Sequence, residues 1–360
     1  MISGNKGEWS EIYVLFKLLA DGKIYAADSE LNKLHDIYFP IIKIIREEIS
    51  GELTEYKTGN IIDIFINGKK IKSVEKSEFK KESKQLLEEI SDAKGSAFRI
   101  EKTENFMKGI SCYKLSAPAR DKSDITMKIV DINTGYSPIV GFSIKSELGS
   151  SPTLLNAGKT TNFIYKIIHN NPFLVNETNE IYIVAKDKKH TDVKGRIKRI
   201  IEDNGQLKYI GMQNKIFSDN LVLIDSSMDK IISETILYFY KEGISNCQDM
   251  VNKLEIENPM NYGNVNAYRY KFKKFLTAIA LGMKPATIWD GIDDANGGYI
   301  IVTKQGDILA YHIYNRNYFE EYLLNNTKYE TASTSRHGFG EVYSEGGEDF
   351  IKLNLQIRFR

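Results

Sequence analysis

Between Gly7 and Leu19 the run EWSEIYVLFKLL sets apolar side chains at helical spacing, and Gly22 is placed to stop the helix. Asn60 to Glu75 splits into two β-rich runs about Asn67-Gly68, a turn dipeptide that predicts a hairpin. Ser77 to Ile90 follows as a helix with Ser77 as its cap. Asp124 to Ile132 (DITMKIVDI) alternates apolar and polar positions as a half-buried strand does, and after the turn NTGYSP a second strand of the same type runs from Ile139 to Ser146. Ser151 to His169 reads as helical in parts, and Glu180 to Lys186 as a strand. Ser226 to Gly243 is an amphipathic helix, and Ala267 to Met283 another that is basic early and apolar late. Gly297 to Asn315 has the pattern of a hairpin turning at Gln305-Gly306, and Lys352 to Phe359 alternates as a final strand. The implied fold class is α/β, a mixed central β-sheet flanked by helices. The elements suggest a core over residues 1–225 with N-terminal helical and hairpin parts, then a helical plus β region over 226–360, or one continuous domain.

Composition narrows the class. A chain of 360 residues with 42% hydrophobic and 11% aromatic content is rich enough in apolar side chains to build a core rather than remain disordered. No stretch approaches the ~20 apolar residues of a membrane span, and MISGNKGEWSE lacks the apolar run of a secretory signal. The two cysteines, Cys112 and Cys247, form neither a disulfide framework nor a CxxC metal site, so a reducing cytoplasm is expected. Net charge is only +1, but the segment Lys186 to Ile200 is strongly basic, and a nucleic-acid binder needs its cations on one face rather than in the total.

Candidate chemistry concentrates on the two middle strands. Hydrolysis of a phosphodiester needs an in-line water and charge stabilisation, which carboxylate-held divalent metal and a lysine supply. Asp124 opens one strand, and Ser143, Lys145 and Glu147 follow at two-residue spacing on the next, which sets those three on one side of a sheet. Ile144 points to the core between them, with its carbonyl available to a metal. The five histidines form no HxH or HExxH, Ser143 lies in no GxSxG, and the paired glycines lack a strand-to-helix context, so zinc, serine-hydrolase and phosphate-loop chemistries are not indicated.

Asp124 with Ser143-Ile144-Lys145 resembles the PD-(D/E)XK nuclease motif in a variant form, with Ser123 in place of the proline and Ser143 in place of the second acid. Longer segments, GNKGEWSEIYVLFKLLADGKIYAAD, GFSIKSELGSSPTLLNAG and TKYETASTSRHGFGEVYSEGGEDFIKLNLQIRF, resemble HpaII-type restriction endonucleases over nearly the whole chain. The resemblance implies a restriction-endonuclease-like core and a type II enzyme that needs Mg²⁺. It further implies double-strand cleavage of unmethylated DNA at a short palindrome, CCGG, leaving 5′-phosphate ends. Asp124 and Lys145 would then be catalytic, with the missing carboxylate supplied from elsewhere. Glu11 on the first helix is the first choice, with Glu147 and Glu8 as alternatives, so the expected metal set is Asp124, Glu11, the Ile144 carbonyl and Glu147.

Base edges are read by bidentate donors and acceptors. The stretch around Arg336 supplies Lys328, Ser333, Ser335, Arg336 and His337 as candidates. Ser146, Asn156, Lys159 and Thr160 are candidates for phosphates beside the cut, and Lys194 to Arg199 for a backbone clamp. The partners implied are double-stranded DNA, a second copy related by a two-fold axis on a palindrome, and a methyltransferase acting on the same site. Two other readings stand beside this one: a DNA-binding protein of the same fold whose nuclease site has decayed, and a repair nuclease that trims without fixed-sequence fragments.

Overall fold

A computed structural model describes residues 2–116, 123–132, 134–169, 175–185, 187–312 and 315–360. Asn133, Lys186, Ile313 and Tyr314, which belong to runs read above as turn, strand and hairpin, lie outside those residues. The chain forms two compact units, Met1–Pro152 with Asp293–Tyr322, and Thr153–Ile292 with Leu323–Arg360. Each is discontinuous in sequence, where the sequence reading offered either a boundary after residue 225 or one continuous domain.

The first unit begins with α1 (Lys6–Asp21), β1 (Lys23–Ala27), β2 (Lys33–Ile49), β3 (Glu52–Lys57), β4 (Ile61–Ile66) and β5 (Lys69–Glu75). It continues through α2 (Lys76–Asp92), α3 (Glu101–Gly109), β6 (Ile125–Ile129) and β7 (Ile139–Ser146). After the second unit's residues it is completed by β13 (Gly298–Val302), β14 (Ile308–His312) and the start of α10 (Arg316–Asn326). The strands build one mixed nine-stranded sheet in the order β1-β14-β13-β7-β6-β2-β3-β4-β5. The β7–β13 and β1–β14 pairs are parallel and the others antiparallel. Asn67 and Gly68 take positive φ at the β4–β5 turn, as the dipeptide requires. Helix α1 starts with a capping box in which Asn5 and Glu8 satisfy each other's backbone N–H, and ends on Gly22 in the left-handed region. Trp9, Ile12, Phe16 and Leu19 on α1 pack with Ile125, Met127, Phe142, Ile144 and Ile300 of the sheet in one apolar core. One expectation fails here: Ser77 is not a cap, because β5 runs directly into α2 and the N-cap is Glu75, with no side-chain bond.

The second unit holds β8 (Thr153–Leu155), β9 (Asn162–Ile168), α4 (Val175–Asn179), β10 (Tyr182–Ala185), β11 (Lys188–Thr191), α5 (Val193–Glu202) and β12 (Gln206–Met212). Four helices follow, α6 (Lys215–Ile224), α7 (Met228–Leu237), α8 (Cys247–Glu257) and α9 (Asn266–Leu281). Its C-terminal part comprises β15 (Thr327–Tyr329), α11 (Thr334–His337), β16 (Val342–Glu345), β17 (Glu348–Asn354) and β18 (Ile357–Phe359). The strands form a four-stranded sheet, β12-β9-β17-β16, a three-stranded sheet, β15-β18-β8, and the β10–β11 hairpin. Two expectations are corrected. Ser151 to His169 is largely strand rather than helix, with only one short 3₁₀ turn at Lys159–Thr161, since FIYKII is the kind of aromatic and β-branched run that packs on a sheet. Lys352 to Phe359 is divided between β17 and β18 in different sheets: Leu355 leaves the first ladder to donate to the Thr161 carbonyl at 3.1 Å. Among the described residues no helix is long and apolar enough to cross a membrane.

Candidate active site and DNA-facing turn

Strands β6 and β7 meet with Ile125 opposite Phe142 and Thr126 opposite Gly141, which sets Asp124 beside Ser143. The Asp124 amide donates to the Phe142 carbonyl at 2.8 Å, extending the ladder by one residue. Its carboxylate oxygen Oδ2 accepts from the Ile144 amide at 2.6 Å and from Ser143 Oγ at 3.1 Å. Strand alternation then carries Lys145 to the same face as Asp124 and Ser143, while Ile144 turns into the core at 7% exposure. The geometry therefore joins Asp124, Ser143 and Lys145 as the motif spacing suggested. Local packing explains one departure from the motif, Ser123 in place of proline. Ser123 donates its hydroxyl to the Asp294 carbonyl at 2.8 Å, a bond proline has no group to make. It passes so close to Gly141 that a Cβ there would lie 2.2 Å from Ser123 Oγ.

Helix α1 brings Glu11 to the same strand ends. Its Oε1 accepts from Ser116 Oγ at 3.0 Å, and its Oε2 is buried with no hydrogen-bond partner. Burial, then the neighbouring Asp124 charge, push this carboxyl up to about 8 from its ordinary 4.5. The segment that carries Ser116 is held by Glu48. Its Oε2 accepts from the Tyr113 and Lys114 amides at 2.7 and 2.9 Å, while Oε1 pairs with Arg46 at 2.5 Å in a buried ion pair. Among the alternatives, Glu8 spends its carboxylate on the α1 capping box, accepting from the Asn5 amide at 2.8 Å. Glu147 lies just beyond β7, its amide bonded to the Val302 carbonyl at 2.9 Å, and its charge is felt by Tyr311 and Tyr322. Of the three candidates, Glu11 is the carboxylate whose charge is coupled to that of Asp124.

The donor set suits a hard cation. Asp124 and Glu11 present carboxylate oxygens, one of them, on Glu11, buried and unsatisfied. Among the described residues no group of three or more His, Cys, Asp or Glu converges. Two carboxylates are enough for Mg²⁺, which keeps several waters and completes its shell with substrate phosphates.

Ser146, expected beside a phosphate, is turned inward. It is 8% exposed, accepts a hydrogen bond from Ser10 Oγ at 2.8 Å and from the Leu148 amide at 3.2 Å, and so fastens α1 to β7. Being one residue past Lys145, it points to the opposite face of the sheet. Two neighbours escaped the sequence reading. Ser116 carried no signal. Tyr299, opposite Ser143 on β13, is 2% exposed, lies beside Ser143, and has Lys145 Nζ 5.6 Å from its ring centroid. Only the parallel β7–β13 pairing, which joins distant parts of the chain, reveals it.

In the second unit the predicted DNA-facing residues fall into one assembly. Asn156, Lys159, Ser333, Ser335 and Arg336 are exposed and His337 is half-buried. Asn162 Nδ2 donates to the His337 carbonyl at 2.9 Å and to Gln213 Oε1 at 2.8 Å. Asn354 Nδ2 donates to Asn162 Oδ1 at 2.6 Å and to the Gly158 carbonyl at 2.8 Å. This buried amide network ties the Lys159 turn to the α11 turn, and a Cβ on Gly338 would lie 4.0 Å from Lys159 Cε. Gly338 itself closes α11 at φ 63°. Lys328 sits on β15 opposite Arg358. Asn156 and Thr160 flank or lie within the 3₁₀ turn rather than on a helix.

The expected basic clamp is only partly available. Arg196 is 1% exposed and donates to the Gly340 carbonyl at 2.8 Å and the Asn179 carbonyl at 2.5 Å, so it is a buried strut. Arg199 pairs with Asp203 at 2.7 Å and Lys198 with Glu202 at 3.7 Å, leaving Lys194 as the exposed α5 cation with no carboxylate partner among the described residues.

A model of the HpaII restriction endonuclease family matches residues 5–359. The chain is 43% identical over 363 aligned positions, 99% of its own length and 98% of the relative's, to the type II restriction enzyme HpaII of Haemophilus parainfluenzae. No solved structure matches.

Proposed function

We propose, from the premise that this chain belongs to the HpaII restriction endonuclease family, that it cuts both strands of unmethylated DNA at CCGG with Mg²⁺ and leaves 5′-phosphate ends. Membership makes it a type II site-specific deoxyribonuclease; the base sequence, the metal and the end chemistry are this further reading. The observation that carries it is the pairing of Asp124 with Ser143 and the Ile144 amide, with Lys145 on the same face and the unsatisfied Glu11 oxygen beside it. A PD-(D/E)XK core with serine in the second acidic position is the fold reading that this supports.

Asp124, Glu11 and the Ile144 carbonyl would hold Mg²⁺, which when bound supplies charge stabilisation to the scissile phosphate. The Ile144 amide and Ser143 hydroxyl fix Asp124 Oδ2, and Oδ1 is the oxygen that would be offered to a metal. Lys145 orients the attacking water and offsets charge that develops on the phosphate oxygens. The Lys159 turn and α11 present Asn156, Lys159, Ser333, Ser335, Arg336 and His337 to the duplex, with Lys328 nearby in sequence. Two copies on a palindrome would make the paired cuts, and a methyltransferase modifying the same sequence would protect the host. Both cysteines are buried and unpaired, which supports a reducing cytoplasm as the compartment.

Digesting unmethylated plasmid in Mg²⁺ and sequencing the fragment ends tests this reading. Discrete fragments bounded by one palindrome with 5′-phosphates are expected. A gel shift with no cleavage would support the decayed-nuclease alternative instead, and nicks without fixed ends a repair nuclease.

A further inference from the structure

Tyr299 lies on β13, a strand from the far side of the sequence, yet the parallel register sets it directly beside Ser143. It is almost wholly buried, at 2% exposure, and its ring packs against Phe319 with centroids 5.0 Å apart, so it has little room to turn. Two parts of this one side chain touch the site. The parallel register sets the phenol beside Ser143, with which it interacts electrostatically, and Ser143 Oγ donates to Asp124 Oδ2 at 3.1 Å. With the serine proton given to Asp124, the Ser143 oxygen is left as an acceptor for the phenol beside it. The ring face lies under the Lys145 ammonium at 5.6 Å, within the range where an aromatic quadrupole attracts a cation. Lys145 has no carboxylate ion pair among the described residues, so the ring is its electrostatic partner there.

We propose that Tyr299 is a positioning residue for strand cleavage, its hydroxyl fixing the Ser143–Asp124 pair and its ring seating the Lys145 ammonium. The inference rests on the assignment of Asp124 and Lys145 to catalysis given above. It also explains how serine serves where related nucleases have an acid: Ser143 is a link between a buried phenol and the metal-side carboxylate, and needs no charge of its own.

Tyr299→Phe keeps the ring and removes the hydroxyl; Tyr299→Leu removes both. Three measurements separate the roles: single-turnover cleavage of plasmid in Mg²⁺ at saturating enzyme, DNA affinity in Ca²⁺ by anisotropy, and calorimetric titration of the DNA-free protein with Mg²⁺. Tyr299→Phe is expected to slow single-turnover cleavage roughly tenfold and weaken Mg²⁺ about tenfold, with DNA affinity unchanged. Tyr299→Leu is expected to slow it roughly a hundredfold, because Lys145 is then misplaced as well. Should Tyr299→Leu fail to fold, Tyr299→Phe alone decides. If Lys145→Ala is inactive while both variants cleave and bind Mg²⁺ as the wild type does, Tyr299 only fills space and the proposal is wrong. Rate losses that merely track losses of DNA affinity and melting temperature overturn it too. If Lys145→Ala keeps full activity, the catalytic assignment itself has failed, and this inference with it.

Discussion

Lys145 and Glu11 test the site from opposite directions. Lys145 is half-buried on the face shared by Asp124 and Ser143, and its ammonium faces an aromatic ring rather than an acid. Lys145→Ala should lower cleavage by roughly 10²–10⁴-fold while DNA affinity in Ca²⁺ stays within about twofold, because the role proposed for the residue is on water and phosphate rather than in the grip. Quantitative digestion beside anisotropy checks this; parallel loss of binding and cutting would make Lys145 a DNA anchor. Glu11 has a carboxyl raised to about 8 by burial and by Asp124. Between its unfolded value near 4.5 and about 8, the folded chain holds a proton that the unfolded chain has released, so stability falls as pH rises through that window and levels off above it. In EDTA the wild-type melting temperature should therefore gain a downward contribution from about pH 5 to about pH 8. Glu11→Gln should remove that contribution, melt higher at about pH 8, and lose Mg²⁺ affinity. A decline that persists unchanged in Glu11→Gln would exclude this carboxyl as its source. The sequence made Asp124 and Lys145 legible because strand alternation fixes faces over short spans. Glu11 was singled out through the family resemblance, as a carboxylate on the first helix, rather than by any pattern of its own. Tyr299 and Ser116 were illegible, since only long-range pairing and the Glu48-held segment bring them near.

At the scale of elements, strength of local pattern decided what could be read. Strand β7 runs from Ile139 to Ser146 as its alternation indicated, and the Asn67-Gly68 hairpin and both long apolar helices follow from turn chemistry and period. Segment 151–169 misled because its apolar positions fit either period, and the places of β8 beside β18 and of β9 between β12 and β17 are set by partners distant in sequence. The basic run misled differently: composition counts cations, but only packing tells which are spent inside. Arg196 is the instance. Replacing it with Leu should cost roughly 2–4 kcal/mol, since the Gly340 and Asn179 carbonyls lose charged donors at a buried position. Lys198→Ala, at an exposed position on the same helix, should leave stability within about 0.5 kcal/mol. Urea unfolding of the two variants reads the difference, and equal costs would mean that Arg196 is not a strut.

For the whole molecule, a net charge of +1 means that DNA binding cannot come from a general attraction and must be concentrated in a few exposed cations. That gives the recognition turn a signature in salt. Lys159 is exposed and one hydrogen-bonded turn away from α11, so a phosphate contact there carries no base information but releases counterions. Arg336 is exposed on α11, and a bidentate contact from it to a guanine edge would discriminate by about 1–3 kcal/mol. Lys159→Ala should accordingly weaken binding to every duplex alike and reduce the slope of log K against log salt by about 1. Arg336→Ala should instead narrow the gap between a duplex carrying the cleaved sequence and a scrambled one by roughly tenfold to a hundredfold. Anisotropy in Ca²⁺ across a salt series, on both duplexes, measures the two effects together. If Arg336→Ala lowers both affinities equally and leaves their ratio intact, Arg336 holds the backbone, and base reading must be sought in the rest of the turn, first at Ser333 and Ser335.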